Sequence, residues 1–483
     1  YQLFAERVRL DATRFSGYHT PHAEGMMQHG YNRQTPQRTQ AKLMGASIDC
    51  GTNGHLLATD VVSGDKADDG LYLPVIRRLR QTFLSPGLLY IGDSKMSALE
   101  IRGEIAHKGD FYLVPLAKVG EVAKRFDGWV SDIVKGEQPA TLIYQTDDQG
   151  QPTDLIAGGY QTTRCQQVVS VTGEAYTWDE RILVIRSLSD ATKQLAALER
   201  NITKATDALF ALTPEPKQGR QQVRSKAKLI EKAEAILTAY DVANYLHYTF
   251  VKQQSVQTQY IGPGRGSTNR KKRQVRTTRY QITAVIRDEA AITEALCRMG
   301  WKVYATNHKQ ADLPMGEAVR LYRAAPRMER HFHLFKDAPI GISPMYVRND
   351  DQIKGLCRLL SLCVRLMTLI EIVTRRHLSQ QDEALAGLYE GNPNRKTTRP
   401  TAVKLLGAFG GIERVQLGTD SKDGSYTTPL TPLQRKILSM LGIDEAIYCS
   451  SKAKLNTFEA LGRKCGQVLA HLSRTFNRVI NGP

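Results

Sequence analysis

A mixed α/β fold is predicted by three observations. Residues 7–15 alternate apolar and polar for their first half, as a half-buried strand does. Leu43–Asp49 and His55–Val62 flank Gly51-Thr52-Asn53-Gly54, where Asn-Gly is a hairpin signal. Helix and strand patterns then alternate over 69–116. The order strand, hairpin, helix, strand, helix, strand predicts a mixed sheet of three antiparallel strands followed by alternating α/β units.

Each element follows from its residues. Between the first strand and the hairpin, 16–40 is rich in Gly, His, Gln and Arg and reads as a loop. Asp69–Phe83 is helix-like, with Asp65, Asp68 and Asp69 as capping acids before it. Leu88–Gly92 is a short apolar run, a buried strand closed by Asp93. Ser97–His107 reads as a helix and Phe111–Leu116 as a strand. Strand-like stretches recur over 140–185, among them Thr141–Gln145 and Gln166–Val171.

Leu188, Ala191, Leu195, Leu198, Ile202, Ala205, Leu209 and Leu212 then form a heptad seam, stopped by Pro214-Glu215-Pro216. A second helical pattern spans about 223–248. A helical hairpin is the simplest use of the pair, and dimerisation through the seam is the alternative. Gly262-Pro263-Gly264-Arg265-Gly266 opens a loop whose cations are Arg265, Arg270, Lys271, Lys272, Arg273, Arg276 and Arg279, with no acid among them. This stretch is either a solvated loop or a phosphate-contacting arm. No Gly-Lys-Ser/Thr follows the glycines, which excludes a Walker phosphate loop.

Strand, helix and strand patterns resume at Tyr280–Arg287, up to Met299, and at Trp301–Thr306. A helix carrying Tyr322 to Lys336 follows, started or kinked by Pro326, and then a long one over 350–378. Residues 387–400 are a polar, turn-rich linker, and helices are expected near 401–409, 432–442 and 455–480.

Length and composition bound the function. A chain of 483 residues predicts two or three domains, and 41% apolar with 24% charged residues excludes a wholly disordered or fibrous protein. The net charge of +18 favours a polyanionic partner. The 7 cysteines contain no CxxC pair, so reduced, packed thiols in a cytoplasmic protein are expected. The most apolar segment, Leu356–Val373, carries Arg358, Arg365 and Glu371 and reads as a core helix, so no membrane span is expected. The chain begins at Tyr1, within ten residues of a strand and with no signal peptide, and reads as a piece whose natural start lies upstream.

The chemistry is sought among acids that can act together. Asp11 sits in the first strand and Asp93 ends a later core strand, so adjacent central strands would bring both to one sheet edge. A packed helix could add Glu329. Three convergent carboxylates hold hard divalent cations, and two such ions activate a nucleophile and stabilise a leaving oxygen at a phosphodiester. Tyr322 and Lys336 lie seven residues to either side of Glu329, so an unbroken helix would present phenol, carboxylate and ammonium on one face. The bland reading is an amphipathic helix with Phe332 and Phe335 in the core. Histidines 19, 22, 29, 331 and 333 are a weaker metal set.

At these residues the chain resembles the DDE-type transposases of bacterial insertion sequences, in the branch with a Tyr-x2-Arg-x3-Glu-x6-Lys signature. The stretch reads Tyr322-Arg-Ala-Ala-Pro-Arg-Met-Glu329-Arg-His-Phe-His-Leu-Phe-Lys336, with Ala325 at the signature arginine and Arg323 and Arg327 two residues to either side. Leu10-Asp11-Ala-Thr-Arg-Phe-Ser-Gly-Tyr resembles the first-aspartate strand and Tyr90-Ile-Gly-Asp93-Ser-Lys-Met the second. Gly30-Tyr31-Asn32-Arg33, Val62-Ser-Gly64-Asp65, Ala305-Thr306-Asn307 and Val347-Arg348-Asn349-Asp350-Asp351-Gln352-Ile353 follow the family order, and the resemblance covers roughly 1–120 and 280–445.

The resemblance implies an RNase H-like catalytic core in two parts, 1–120 and 281–380. A large insertion domain, 121–280, with a helical hairpin and basic loop, would interrupt the core, and a helical C-terminal region, 381–483, would follow. It implies magnesium-dependent nicking at element ends, with manganese as a substitute, then attack of the freed 3′-hydroxyl on target DNA. Asp11, Asp93 and Glu329 would be the catalytic metal ligands. Tyr322 and Lys336 would hold phosphate, with Arg323 and Arg327 beside them and Arg270, Lys271, Lys272 and Arg273 as further DNA contacts. Partners would be double-stranded transposon-end and target DNA, and a second copy of the chain in the synaptic complex. Two alternatives are a catalytically inactive, transposase-derived DNA-binding protein and an RNase H-like, structure-specific nuclease.

Overall fold

The computed structural model describes residues 6–449 apart from 33–34, 51–52, 84–85, 148, 171–172, 217–221, 262–270, 325, 337–339 and 417–424. The expected last helix, Ala325, Arg265 and Arg270 therefore lie outside the described residues. In chain order the elements are β1 (Arg7–Gly17), β2 (Thr39–Cys50), β3 (Asn53–Ser63), α1 (Tyr72–Thr82), β4 (Leu89–Ile91), α2 (Leu99–His107), β5 (Phe111–Pro115), α3 (Gly120–Val134), β6 (Thr141–Thr146), β7 (Pro152–Val169) and β8 (Ala175–Ser187). They continue with α4 (Leu188–Leu212), α5 (Lys226–Ala239), β9 (Leu246–Tyr260), β10 (Lys272–Arg287), α6 (Glu289–Arg298), β11 (Trp301–Thr306), α7 (Met315–Arg323), α8 (Pro326–Lys336), α9 (Asp350–Gln380), α10 (Ala402–Gly407) and α11 (Pro432–Leu441). The chain divides into two bodies. One comprises Arg7–Asp11 with Ala67–Pro326, the other Ala12–Lys66 with the chain from Arg327. Among the described residues no helix is long and apolar enough to cross a membrane.

The first of these bodies is a mixed sheet in the order β1-β4-β5-β11-β8-β7-β6. β1, β4 and β5 run parallel, and β5/β11, β11/β8, β8/β7 and β7/β6 are antiparallel. All three residues of β4 are buried, as a short apolar run between two parallel neighbours must be. Side-chain alternation then separates two faces. Leu89, Ile91, Leu113, Leu183 and Ile185 pack with Met315, Ala318 and Val319 of α7. On the other parity, Tyr112 and Glu180 meet Arg102 of α2.

Glu180 is fully buried and is the hub of that second face. It pairs with Arg102 and with Arg164 (2.6 Å), and accepts from the Tyr112 hydroxyl (2.6 Å) and Gln166 Nε2 (3.0 Å). Burial pushes its carboxyl up, but Arg102, the Tyr112 hydroxyl and Arg164 outweigh that and hold it below its ordinary value. The network joins α2, β5, β7 and β8 through charge rather than apolar packing.

The 121–280 stretch divides its elements between two settings. β6, β7 and β8 continue the same sheet, β8 pairing with β11 from Trp301↔Arg186 to Thr306↔Arg181. The helical hairpin forms as expected: Leu198, Ile202, Ala205 and Leu209 of α4 pack on Leu229, Ala233 and Leu237 of α5. That contact takes up most of the heptad seam within one chain. The second helix ends at Ala239, short of the expected 248, and the basic stretch expected as a loop is strand from Lys272 on. β10 pairs with β9 along its whole length, from Lys272↔Tyr260 to Arg287↔Leu246. The reason is composition. Tyr248, Phe250, Val251, Val275, Thr277, Thr278 and Ile282 are aromatic or β-branched and favour a pleated surface over helix or loop.

In the other body, β2 and β3 form the expected antiparallel hairpin. Met328, Phe332 and Phe335 of α8 join Leu43, Leu56, Ile353, Cys357 and Val364 in one core. Gly45 permits the close approach, because a Cβ there would run into Met328 Cε and lie 3.1 Å from Phe332 Cε1. Arg330 of α8 pairs with buried Glu371 of α9 (2.5 Å), which also accepts from Ala402 N (2.9 Å). Cys357 and Cys363 are buried as expected, and burial pushes the Cys357 thiol up to about 12. Farther along, Leu378, Leu385, Leu405, Ile437 and Met440 close a smaller core under α10 and α11.

Glu180→Gln should destabilise the first body by about 3–5 kcal/mol, because it leaves buried Arg102 and half-buried Arg164 without their counter-charge. Denaturant unfolding followed by tryptophan fluorescence measures it. A loss under about 1 kcal/mol would show that the arginines find other partners.

Candidate functional site

The site is built from strand ends. The parallel ladder sets Arg7 opposite Leu89, Val8 opposite Tyr90 and Arg9 opposite Ile91. Asp11 stands two residues beyond Arg9, and Asp93 two beyond Ile91. The register therefore sets Asp11, within β1, abreast of Asp93, which lies just past the carboxyl end of the parallel strand β4, where open α/β sheets place ligands. Both are half-buried.

Asp93 is held by its neighbours. The Tyr72 hydroxyl of α1 donates to Asp93 Oδ1 (2.6 Å), and Lys95 N donates to the same oxygen (2.9 Å). Tyr72 is buried, and burial first, then the charge of Asp93, raises its phenol far above the ordinary value, with Asp11 adding to it. The phenol is therefore a permanent donor that orients the carboxylate.

Tyr322 of α7 belongs to the same cluster. Burial, then the charges of Asp93 and Asp11, push its phenol up to about 12. Its ring packs on Tyr304 with centroids 4.9 Å apart. Buried Arg9 donates Nη2 to the Leu321 carbonyl (2.9 Å), which ties β1 to the end of α7 beside Tyr322. Arg323 Nη1 donates to Ser187 Oγ (3.5 Å).

The expected single helix from Tyr322 to Lys336 is two helices, because Pro326 begins a new one. Proline cannot donate to the preceding turn and suits the first position of a helix. Tyr322 therefore shares no helix with Glu329, and the shared face holds only for Glu329 and Lys336 on α8. Glu329 is exposed and Lys336 half-buried, in the body that does not contain the aspartates. Arg327 begins α8, and its side chain lies outside the described residues. Lys271, Lys272 and Arg273 are exposed at the outer end of the β9–β10 ribbon.

Among the described residues no group of three or more His, Cys, Asp and Glu side chains stands together as a metal cage. His331 is instead a core histidine bonded to the Gly54 carbonyl (3.0 Å), and His19 bonds the Val347 carbonyl (2.7 Å). The donor chemistry of the aspartate pair does fit magnesium, which is bound through one or two carboxylates and keeps water and substrate phosphate as its other ligands. The Tyr72 hydroxyl and the Lys95 amide both bond Asp93 through Oδ1, so they fix the group without using Oδ2. A cavity of about 440 Å³ lined by Ala98, Arg102, Val119, Arg125, Arg164 and Cys165 contains neither aspartate. Tyr72 and Arg9 were not legible as site residues, since each acts through a tertiary contact, and Lys95 enters only through its backbone amide.

No protein-family model matches the chain, and no curated protein is similar to it.

The raised phenols set a sign for pH dependence. A proton bound more tightly in the folded than in the unfolded chain stabilises below the unfolded pKa, and that stability is lost as pH rises through the folded pKa. For Tyr322 the window runs from 10.0 to about 12. Stability should therefore fall as pH rises above about 10, and Tyr322→Phe and Tyr72→Phe should each make that fall shallower. Chemical denaturation at a series of alkaline pH values checks it, and an unaltered slope in both variants would contradict the cluster.

Proposed function

We propose that the chain is a DNA transposase that cuts phosphodiester bonds at the ends of a mobile element and joins the freed end to target DNA, with an RNase H-like core. The observation that carries the reading is the register that sets Asp11 and Asp93 abreast, with Tyr322 held against them. The resemblance at 322–336 adds Glu329 as third ligand and Lys336 as a phosphate contact, an assignment that rests on the sequence. The charge of +18 suits a DNA partner, and a homodimer is the expected working form.

Asp11 and Asp93 would hold magnesium, or manganese in its place. The metal would supply Lewis-acid polarisation and charge neutralisation at the phosphoryl group. Tyr72 keeps Asp93 oriented. Tyr322, whose phenol is pushed up to about 12, keeps its proton to donate at working pH, which suits a phosphoryl oxygen carrying negative charge. In cleavage, a water oxygen bonds to phosphorus, the P–O3′ bond breaks, and the departing 3′ oxygen takes a proton. In transfer, that 3′-hydroxyl attacks a target phosphodiester, loses its proton, and displaces a target 3′ oxygen.

Asp11→Asn, Asp93→Asn and Glu329→Gln should each lower magnesium-dependent cleavage of an element-end duplex by at least about a hundredfold while leaving duplex binding within about threefold. Lys336→Ala should cut cleavage more than Lys336→Arg, because arginine keeps the charge but changes its reach. Gel assays of nicking and strand transfer on the same duplex check both. Cleavage without transfer would support the nuclease reading. Normal cleavage by Asp93→Asn would remove the aspartate pair from the chemistry.

A further inference from the structure

The β9–β10 ribbon has two unlike faces. Its ladder pairs Lys272 with Tyr260, Gln274 with Thr258, Arg276 with Val256, Thr278 with Gln254 and Tyr280 with Lys252. Alternation puts these ten side chains on one face and the intervening residues on the other. The second face is tied to itself. Arg279 Nε donates to Gln253 Oε1 (2.7 Å), Gln253 Nε2 donates to Gln281 Oε1 (2.9 Å), and the Ser255 and Thr277 hydroxyls share a hydrogen bond (2.7 Å).

The first face is covered at its base, where Tyr280 joins the core of α4 and α5, and open along its outer part. Gln254, Thr258, Gln274 and Arg276 are exposed, and no described residue takes up their side-chain hydrogen-bonding groups. Lys252 and Lys272 stand at its two ends, Lys272 over the Tyr260 ring. Neither strand contains an aspartate or glutamate.

The ribbon is anchored only at its base. Tyr248, Phe250, Tyr280 and Ile282 join the core of α4 and α5, and no residue from Val251 to Tyr260 belongs to it. A two-stranded ribbon without a core is marginal in water, so its outer length gains from a partner. That length, at about 3.4 Å per residue, is roughly 30 Å, close to one turn of duplex DNA.

We propose that this first face enters the major groove of duplex DNA and reads sequence there. Gln254 and Gln274 contact adenine edges, Arg276 contacts a guanine edge, and Lys252 and Lys272 contact phosphates at either end. The major groove, about 12 Å wide, admits a two-stranded ribbon, and glutamine and arginine match the paired acceptor and donor groups of adenine and guanine there. A-form RNA is excluded as partner because its major groove is too narrow for side chains to read. The choice of DNA as the polyanion rests on the proposed function.

The test uses the full chain with a chelator present, so that binding is read apart from cleavage. Wild type is carried through selection on a randomised duplex DNA pool and should enrich a base-preferring motif. The triple variant Gln254→Ala, Gln274→Ala, Arg276→Ala should bind the enriched duplex at least about a hundredfold more weakly. Gln257→Ala with Gln259→Ala, on the other face, should bind as wild type does. Replacing guanine by 7-deazaguanine, which removes only a major-groove acceptor, should weaken wild type and leave Arg276→Ala unchanged. The inference is overturned if wild type enriches no motif, if the triple variant keeps motif and affinity, or if the matching RNA duplex binds equally well. Magnesium-dependent cleavage surviving any of those results would leave the aspartate pair standing as the catalytic centre.

Discussion

The parallel ladder between β1 and β4 is the constraint on which the site depends. The 11-residue β1 and the three-residue β4, each with its apolar residues buried, can pair in one register only if Val8 and Leu10 stay in the core on the face of Tyr90 while Leu89 and Ile91 fill the other face. A slip of one residue would reverse every side chain and expose them. The same register that satisfies the core delivers Asp11 and Asp93 to one edge. Position of the carboxylates is thus a by-product of hydrophobic burial, and the buried packing of α7 on the neighbouring strands adds Tyr322 on the same terms.

Charge is then arranged around that edge by groups that keep their protons. Tyr72 and Tyr322 sit in apolar surroundings beside carboxylates, and both influences disfavour the phenolate. On the opposite face of the sheet the logic is inverted: Glu180 is held ionised in the core by two arginines and a phenol. That network ties α2, β5, β7 and β8 together.

Much of this was readable in the sequence, and the failures have physical causes. β1, the hairpin, β4 and β5 carry strong local patterns, and the sequence placed them within a few residues. Asp93 was legible because it closes an apolar run. Tyr72 was not, since nothing local marks a tyrosine that meets Asp93 across a fold. The split between α7 and α8 turned on Pro326, whose effect was foreseen in kind but whose consequence, separating Tyr322 from Glu329, needed the structure. The start of β10 was read as loop because a run of cations resembles solvated surface, and most of β9 carried no local signal that assigned it. The decisive feature is pairing of two strands distant in sequence, which no single window contains.

The central claim is that Asp11 and Asp93 together hold a divalent metal. Ferrous iron bound in place of magnesium, with ascorbate and peroxide, cuts the backbone beside its own site. Mass spectrometry of the fragments should find cuts within β1 near residue 11 and just past β4 near residue 93. Those cuts should be suppressed by excess magnesium and absent in Asp93→Asn. Cuts confined to other regions, or cuts near 11 and 93 that persist in Asp93→Asn, would contradict the account.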